Sequence, residues 1–530
     1  MKEIDAGTLR GRLNGGAEIA LLDVREQGEF GTCHLFHAIN TPLSRIELQV
    51  PRLVPRTSVA IVVTAAGDAD LVRRAVEVLA SLGYSDLAVC PAGPQSWEAA
   101  GFTLYSGINV PSKAFGEAVE HHYGTPSIDA VTLKAMQDKG DDIVVLDSRT
   151  EAEYRNMNIP QGVSMPGGEL AYRVRDFVAD PATTVVVNCA GRTRSIIGAQ
   201  SVINSGIANR VVALENGTMG WHLAGFDLEH GSDRRYADGE PHTLAAALEM
   251  RDRVAREYGI STIDRDTLDR WRMESDRRTL YLLDVRAPGE YAAGHLPGSR
   301  SAPGGQLVQA TDFHIGVPNG RIVLIDDTGV RATMTAHWLV QMGLPDVHVL
   351  SGGLEGHALE TGPTSGAVPG MDDIDWIDAS ELAVRLGEDG PFVLDVGESR
   401  EYRKHHLPGA RWAIRSRIAQ SGPDLPADGE IVLTSGDGDL AALAVPEVRA
   451  LSGARVRVLA GGTEKWLESG HPFEASPGDP ADEACVDVYL RAYDRNTDIE
   501  AKMQEYIDWE IALIDQISGD SDVLFRLGPV

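Results

Sequence analysis

One segment places a thiol between a strand and a helix: Val185-Val186-Val187-Asn188-Cys189-Ala190-Gly191-Arg192-Thr193-Arg194-Ser195. A run of β-branched apolar residues is typical of a buried strand. Ser195 and Ile196 open a stretch whose pattern predicts a helix. The segment therefore predicts that Cys189 lies at the C-terminal end of a strand, with a short loop between it and the helix.

The residues after Cys189 predict an anion-binding cradle around the thiol. Backbone N–H groups of the loop, the positive end of the following helix dipole and the guanidinium groups of Arg192 and Arg194 would converge near the sulfur. Such surroundings lower the pKa of a thiol and attract an anionic substrate. A buried cysteine that only fills space is the alternative. Because that role needs neither arginine, we predict a reactive thiol.

The composition is that of an ordinary globular protein with several cores. The chain has 530 residues, of which 43% are hydrophobic and 24% are charged, and this length predicts about three or four domains. Its formal net charge is -30. Such a field repels phosphates and anionic lipid headgroups. We therefore expect neither nucleic acid nor a membrane surface as a general partner.

The cysteines indicate neither a disulfide framework nor a metal site. Cys33, Cys90, Cys189 and Cys485 are widely spaced and form no CxxC pair, and a reducing compartment fits this usage. No apolar leader follows Met1, and no run of about 18 apolar residues occurs. We expect a cytoplasmic protein with no metal and no other cofactor.

The chain contains an internal repeat with four copies. In each copy an apolar run ends in aspartate, an acidic–aromatic pair follows, and a second apolar run comes later at a nearly fixed distance. The step from Asp147 to Cys189 recurs from Asp23 to Ala65 and from Asp284 to Asp326. A glycine turn and a large ring close each copy: Gly93 and Trp97, Gly217 and Trp221, Gly352-Gly353 and His357, Gly461-Gly462 and Trp466. Alternating strands and helices predict a parallel sheet covered on both faces.

The repeat sets the domain boundaries. The predicted units and connections are 1–108, 125–232, a linker over 233–260 with a helix around 244–250, 261–363, 373–476, and an extension over 480–530. Residues 107–126, which include His121 and His122, are expected to form a connecting loop, and residues 361–370 a linker rich in Gly, Pro and Ser. Apolar residues at helical spacing predict an amphipathic helix over 499–517. This helix either caps a unit or contacts another subunit, which leaves a homodimer open.

The repeated motifs resemble the rhodanese family. The motifs are Asp-Val-Arg at a strand end (284–286), Glu-Tyr (290–291), the turn His-Leu-Pro-Gly (295–298 and 406–409), the cysteine loop, and glycines before Trp. The resemblance implies an α/β fold with four tandem rhodanese-like domains, each a central parallel sheet with helices on both faces, and a C-terminal helical extension. It also implies a sulfurtransferase. In that family a cysteine takes the outer sulfur of thiosulfate or a related donor, carries it as a persulfide, and hands it to cyanide or a thiol.

The resemblance assigns the nucleophile to Cys189. The substrate-binding residues are then Ala190, Gly191, Arg192, Thr193, Arg194 and Ser195, whose N–H groups and two guanidinium groups would hold a sulfonate-like donor and the anionic persulfide. We expect Ser195 to cap the helix rather than to bond the sulfur. Asp147 and Arg149 recur in other copies, so they are expected to form a structural pair, and Trp221 is expected in the core.

The other three loops are predicted to be silent in sulfur transfer. Alanine, aspartate and serine stand at Ala65, Asp326 and Ser435, where the second copy has its cysteine. A serine hydroxyl ionises far above a thiol, and aspartates repel a sulfur oxyanion. The adjacent acids Asp326 and Asp327 are a weak signal for a cation. Cys33 could resolve a persulfide only if it lay close to Cys189.

Two alternative functions stay open at this point. Protein tyrosine phosphatases and arsenate reductases also use a cysteine-to-arginine cradle, but four residues separate Cys189 from Arg194, one fewer than in the phosphatase signature. The other alternative is a noncatalytic persulfide carrier for a dedicated partner. The partners predicted for the first function are a small sulfur donor and a thiol or cyanide acceptor, with a protein as a further candidate acceptor.

Overall fold

The computed structural model describes residues 2–362, 373–387 and 390–529, and within them the chain forms four sheets of five parallel strands. Each sheet, together with the helices that cover it, is called a unit below, numbered in chain order. The predicted α/β architecture with four tandem copies is confirmed. The linker expected over 361–370 lies almost entirely outside the described residues.

The first unit precedes a connecting helix. Its strands are β1 (Lys2–Glu3), β2 (Ile19–Asp23), β3 (Ile39–Asn40), β4 (Ala60–Thr64) and β5 (Leu87–Val89). Its helices are α1 (Ala6–Leu13), α2 (Gln27–Phe30), α3 (Ile46–Leu53), α4 (Ala69–Ser81) and α5 (Gly93–Ala99), and the connecting helix is α6 (Val110–Tyr123).

The second unit carries Cys189. Its strands are β6 (Ser127–Ile128), β7 (Ile143–Asp147), β8 (Val163–Ser164), β9 (Thr184–Asn188) and β10 (Val211–Leu214). Its helices are α7 (Ala130–Lys139), α8 (Glu151–Asn156), α9 (Gly167–Phe177), α10 (Thr193–Asn204) and α11 (Gly217–Leu223), and α12 (Leu244–Glu257) connects it to the next unit. The linking helix predicted around 244–250 is thus confirmed.

The third and fourth units repeat the plan. The third has strands β11 (Ser261–Ile263), β12 (Leu280–Asp284), β13 (Arg300–Ser301), β14 (Arg321–Ile325) and β15 (Val347–Leu350), with helices α13 (Arg265–Met273), α14 (Pro288–Ala293), α15 (Gly304–Gln309) and α16 (Val330–Gln341). The fourth has strands β16 (Trp376–Ile377), β17 (Phe392–Asp395), β18 (Arg411–Trp412), β19 (Glu430–Thr434) and β20 (Arg455–Leu459). Its helices are α17 (Ala379–Arg385), α18 (Ser399–Lys404), α19 (Ile418–Ser421), α20 (Asp439–Leu443), α21 (Val445–Leu451) and α22 (Gly462–Glu468), and the extension ends in α23 (Ile499–Ile517).

The strand order is the same in every sheet and places the loop after β9 at its centre. The second sheet has the order β6-β10-β9-β7-β8, and β9 pairs in parallel with both β7 and β10. The strand order reverses between β7 and β9. In open α/β sheets ligands bind at this point, outside the carboxyl ends of the strands. The loop that starts at Cys189 lies there.

The aspartates that end the second strand of each unit have a structural role, as predicted for Asp147. Arg149 donates two hydrogen bonds to the carboxylate of Asp147, at 2.7 Å and 2.9 Å, and both side chains are buried. The pair recurs as Asp23 with Arg25 and as Asp284 with Arg286. In the fourth unit Gly397 stands in place of the arginine, so Asp395 is buried without a cationic partner among its hydrogen bonds.

The connection over 107–126 differs from the expected loop. It contains α6, which includes His121 and His122. Pro111 stands at the start of the helix and Gly124 ends it with a φ of 60°, which is the usual placement of these two residue types. Nine of its fourteen residues are buried, namely 110 and 112–119, because α6 packs between α10 and α23.

Ion pairs and close backbone contacts join the units. Arg331 of the third unit contacts Glu169 of the second at 2.7 Å. At the same interface the glycines that open α9 and α15 meet, and a Cβ added to Gly305 would lie 2.8 Å from the Cα of Gly167. Arg415 of the fourth unit contacts Glu47 of the first at 2.8 Å. The units without a cysteine at the loop position are therefore built into one assembly with the cysteine-bearing unit.

The C-terminal helix has the predicted bounds and caps the second unit. Its buried residues are Met503, Ile507, Glu510, Leu513 and Ile517. They pack against α6 and against Met219 of α11. The apolar face of α23 is thus covered within the chain. A homodimer through this helix stays a prediction.

Candidate active site

The turn after β10 fixes the start of the cysteine loop. The carbonyl of Cys189 accepts a hydrogen bond of 2.8 Å from the N–H of Thr218. Gly217 has a φ of 53°, and a Cβ there would lie 2.2 Å from the carbonyl oxygen of Cys189. Only glycine fits so close to a backbone in this conformation. Gly353 and Gly462 approach the carbonyl oxygens of Asp326 and Ser435 as closely, so in the last three units the glycine turn packs on the residue at the cysteine position.

Cys189 lies where the sequence predicts, but its surroundings act differently. The thiol is buried and donates to the hydroxyl of Ser195 at 3.5 Å. Burial raises the pKa of Cys189, although the charge of Arg194 and the hydrogen bonds from Ser195 lower it, and Glu510 raises it further. The expectation of a lowered pKa is therefore wrong, because removal from water outweighs the favourable charge.

Ser195 does not cap the helix, so that expectation is also wrong. Helix α10 begins at Thr193, and its N-cap, Arg192, has no side-chain capping bond. Ser195 lies inside the first turn, where its hydroxyl donates to the carbonyl of Arg192 at 2.8 Å and accepts from the thiol of Cys189. The serine thus connects the sulfur to the loop backbone.

Arg194 is the cation that acts on the sulfur, and Glu153 holds it in place. The guanidinium donates to both carboxylate oxygens of Glu153, each at 2.8 Å. Burial raises the pKa of Glu153, but the charge and hydrogen bonds of Arg194, together with the charges of Arg149 and Arg491, hold it well below the usual range. Glu153 is the acidic member of the repeated acidic–aromatic pair. In the third unit Glu290 holds Arg331 in the same way, at 2.7 Å.

Arg192 has two carboxylate partners outside its own unit. Its guanidinium donates to both oxygens of Glu117 on α6, each at 2.8 Å, and also to Glu120. Burial raises the pKa of Glu117 to about 7, although Arg192 lowers it. Arg194 is the cation among the main causes of the shift in the pKa of Cys189. Arg192 lines the same cavity, where its guanidinium is bound by the carboxylates of α6.

The C-terminal helix adds residues that the loop sequence does not reveal. Glu510 accepts from the backbone N–H of Thr193 at 3.3 Å and from its hydroxyl. Tyr506, one turn earlier, accepts from the ammonium of Lys113 on α6. A Cβ on Gly191 would lie 3.1 Å from the ring of Tyr506 and 3.4 Å from Glu510 Oε2. The only sequence signal for this contact is a glutamate on the apolar stripe of the predicted helix.

These elements line a cavity that is partly open to solvent, and Cys189 is among its lining residues. The second unit contributes the loop residues from Cys189 to Arg194, together with Glu153 and Met219. The rest of the lining comes from α6 and the chain before it, from α15 of the third unit, and from the extension: Ile108, Asn109, Lys113, Gln306, Gln309, Tyr489, Arg491, Ala492, Tyr506 and Glu510. Cys33, Cys90 and Cys485 are not among the lining residues. The cavity is therefore completed by segments outside the second unit.

The loop of the third unit shows what the cradle holds when its cysteine is replaced. The carboxylate of Asp326 accepts from the backbone N–H groups of Gly329 at 2.5 Å, Arg331 at 2.9 Å and Ala332 at 3.4 Å. Burial raises its pKa to about 6. In the fourth unit the hydroxyl of Ser435 accepts from the N–H of Ala441 at 3.1 Å. The N–H groups of this loop type thus converge on one negatively charged or polar group.

The described residues show no arrangement for a metal ion. Within residues 2–362, 373–387 and 390–529, no group of three His, Cys, Asp or Glu side chains has a metal-binding arrangement. No described helix is both long enough and apolar enough to cross a membrane.

Comparison with known proteins identifies relatives of the whole chain and of its repeat. The model of the rhodanese-like domain matches residues 129–224, 266–360 and 378–469. The crystal structure of a thiosulfate sulfurtransferase from Pseudomonas aeruginosa is 44% identical, covers 100% of both chains and superposes with a TM-score of 0.90. The thiosulfate sulfurtransferase GlpE of Pseudoalteromonas translucida (strain TAC 125) is 28% identical over 79 residues, which are 15% of this chain and 72% of that protein.

Proposed function

The chain belongs to the rhodanese family and is a rhodanese-type sulfurtransferase, and from this premise we propose that it transfers a sulfane sulfur through a persulfide on Cys189. The donor is thiosulfate or a related sulfane compound. The acceptor is a thiol or cyanide. The observation that carries the proposal is the electrostatic environment of one thiol: Cys189 lies beside the N-terminus of α10, and the charge of Arg194 acts on its sulfur.

The first half of the reaction loads the thiol. Cys189 loses its proton to solvent water, and its thiolate attacks the outer sulfur of the donor. The new bond joins Sγ to that sulfur, while the sulfur–sulfur bond of thiosulfate breaks and its electron pair leaves on sulfite. The loop N–H groups and Arg194 stabilise the negative charge of the persulfide that remains.

The second half of the reaction transfers the sulfur from Cys189 to the acceptor. The thiolate or cyanide acceptor attacks the terminal sulfur, the bond between this sulfur and Sγ breaks, and Cys189 leaves as a thiolate. Arg194 and the hydrogen bonds from Ser195 lower the pKa of Cys189 and so favour this leaving group. The same groups therefore serve in both half-reactions.

The raised pKa of Cys189 sets the pH dependence. At neutral pH most of the protein carries the protonated thiol, so the rate of loading increases as the pH rises toward the raised pKa. An anionic group of the bound donor can also accept the proton of the Cys189 thiol and so generate the thiolate. No histidine lines the cavity among the described residues, so a histidine base has no part in the proposal.

Substitution of the four cysteines tests the proposal. Cys189→Ala should abolish sulfur transfer from thiosulfate to cyanide. Cys33→Ala, Cys90→Ala and Cys485→Ala are matched controls and should leave it nearly intact, because none of these residues lines the cavity. Persistent transfer by Cys189→Ala would contradict the assignment. Efficient hydrolysis of aryl phosphates by the unmodified chain would favour the phosphatase alternative instead.

A further inference from the structure

The cations around Cys189 differ in whether they already have partners. Arg192 is bonded to Glu117 and Glu120, and Arg194 is bonded to Glu153. Lys113 is buried and donates to Tyr506. Each of these two guanidinium groups already has a carboxylate partner in a charge-assisted pair. Neither is therefore a free cation for the anionic group of a donor.

Arg491 is the exception. It lies in the extension, is exposed, and lines the same cavity as Cys189. Its backbone N–H donates to Asp494, but within the described part of the chain its guanidinium has neither an ion pair nor a hydrogen bond. Its charge nevertheless reaches the cavity, since it lowers the pKa of Lys113 and of Glu153. A free guanidinium presents a planar pair of donors to an oxyanion.

The third unit contributes a second donor without a partner. Gln306, on α15, lines the cavity, and its Nε2 is buried with no hydrogen-bond partner among the described residues. A buried amide N–H without a partner costs free energy, which a ligand acceptor would recover. The unit whose own loop lacks a cysteine thus supplies a polar group to the cavity of Cys189.

We propose that Arg491 and Gln306 form the subsite that binds the anionic group of the sulfur donor. Arg491 supplies the charge, and Gln306 supplies a neutral hydrogen bond. This assignment rests on the proposed function only in naming the sulfur donor as the ligand. It gives the extension and the third unit a role in donor binding, and it moves the recognition of the donor's charge away from Arg192.

Alkylation of Cys189 by two reagents tests the subsite without sulfur chemistry. Iodoacetate and iodoacetamide form the same bond to Sγ and release iodide, but iodoacetate alone carries a carboxylate. The measured quantity is the ratio of the two alkylation rates at Cys189, followed by peptide mass spectrometry at constant pH. Since both reagents need the same thiolate, the ratio removes any change in the pKa of Cys189.

Arg491→Ala should lower this ratio by about tenfold, since it removes the charge of a guanidinium that has no partner among the described residues. Arg491→Lys should retain most of it, and Gln306→Leu should lower it by about threefold. Arg256→Ala is the matched control, because Arg256 is exposed, without an ion pair among the described residues, and outside the cavity lining. An unchanged ratio in Arg491→Ala or in Gln306→Leu would overturn the subsite, as would an equal loss in Arg256→Ala.

The same variants separate this inference from the proposed function. With thiosulfate, Arg491→Ala should raise KM by about tenfold with little change in kcat, as expected for an interaction made equally with the bound donor and the transition state. If the alkylation ratio shifts as stated while neither the wild type nor any variant transfers sulfur, the subsite is supported and the proposed function is contradicted. A lower kcat at unchanged KM would contradict a binding role for Arg491.

Discussion

Glu510 accepts a hydrogen bond of 3.3 Å from the backbone N–H of Thr193, and the hydroxyl of Thr193 donates to the same oxygen. The contact joins the C-terminal helix to the first residue of α10. It occupies one of the N–H groups that the sequence assigns to an anionic substrate. Because Glu510 is buried and its second oxygen has no partner among the described residues, it also places a negative charge in the cavity of Cys189.

Neutralising Glu510 should make the thiol more reactive. Its charge raises the pKa of Cys189, so Glu510→Gln should lower that pKa while the amide oxygen keeps the bonds from Thr193. The pH midpoint of Cys189 alkylation by iodoacetamide should move to lower pH, and the rate at neutral pH should rise. Glu505→Gln, on the exposed face of the same helix, should leave the midpoint unchanged. A midpoint that moves to higher pH in Glu510→Gln would contradict this account.

Arg194 should contribute to the reaction with thiosulfate through its charge and also through the planar pair of hydrogen-bond donors of its guanidinium group. Arg194→Ala removes the charge that lowers the pKa of Cys189 and leaves Glu153 without its partner. Arg194→Lys keeps the charge but loses the planar pair of donors. Loss of a charge-assisted pair at a reacting centre predicts a fall in kcat/KM for thiosulfate of about a hundredfold in Arg194→Ala and about tenfold in Arg194→Lys.

A double variant separates catalysis from stability at this pair. Arg194→Ala with Glu153→Gln removes both charges, so the thermal midpoint of unfolding should recover relative to Arg194→Ala alone. The kcat/KM for thiosulfate should stay low in the double variant. Recovery of activity together with stability would show that Arg194 acts only by supporting the fold.

A thiol placed in the third unit should react slowly. In Asp326→Cys the neighbouring cation, Arg331, remains bonded to Glu169, Glu290 and Asp327. We expect alkylation of this thiol near neutral pH to be much slower than that of Cys189. The comparison is made in a Cys189→Ser background by mass spectrometry. A rate comparable with that of Cys189 would mean that the N–H groups of the cradle suffice without a free cation.

The fourth unit should lose stability as the pH rises. Burial raises the pKa of Asp395 to about 7, since no arginine faces it. In the unfolded chain an aspartate titrates near ~4. The folded state therefore holds the proton more tightly, and its stability falls as the pH rises from about 4 through about 7. Asp395→Asn should remove this loss, by at most about 4 kcal/mol above neutral pH.

Thermal unfolding as a function of pH measures this effect. The thermal midpoint of the wild type should approach that of Asp395→Asn at low pH and fall below it near neutral pH. Asp428→Asn, in the same unit and exposed, should follow the wild type at every pH. Parallel pH profiles for the wild type and Asp395→Asn would contradict the raised pKa.

The repeat could be predicted from sequence because its signals are local. The apolar runs that end at Asp147 and Asn188 coincide with the ends of β7 and β9. The glycine at 217 marks a close approach that only glycine permits. The amphipathic period places the last helix at Ile499–Ile517. Each of these features has its signal within a short stretch of sequence.

The state of the thiol could not be predicted because it depends on distant segments. Helix α23 contributes to the lining of the cavity of Cys189, and Glu510 lies 317 positions after its partner Thr193. The partners of Arg192 lie on α6, in a stretch that we expected to be a loop. The loop sequence therefore reveals the cations of the site. It does not reveal the carboxylates on other segments that pair with them.

The central claim is that Cys189 carries the transferred sulfur. The most direct test is mass spectrometry of the intact chain and of its peptides after brief exposure to thiosulfate without an acceptor. The account predicts a mass increase of one sulfur atom on the peptide that contains Cys189, lost again on addition of cyanide. Sulfur found on Cys33, Cys90 or Cys485 instead, or none on any peptide while transfer to cyanide proceeds, would contradict it.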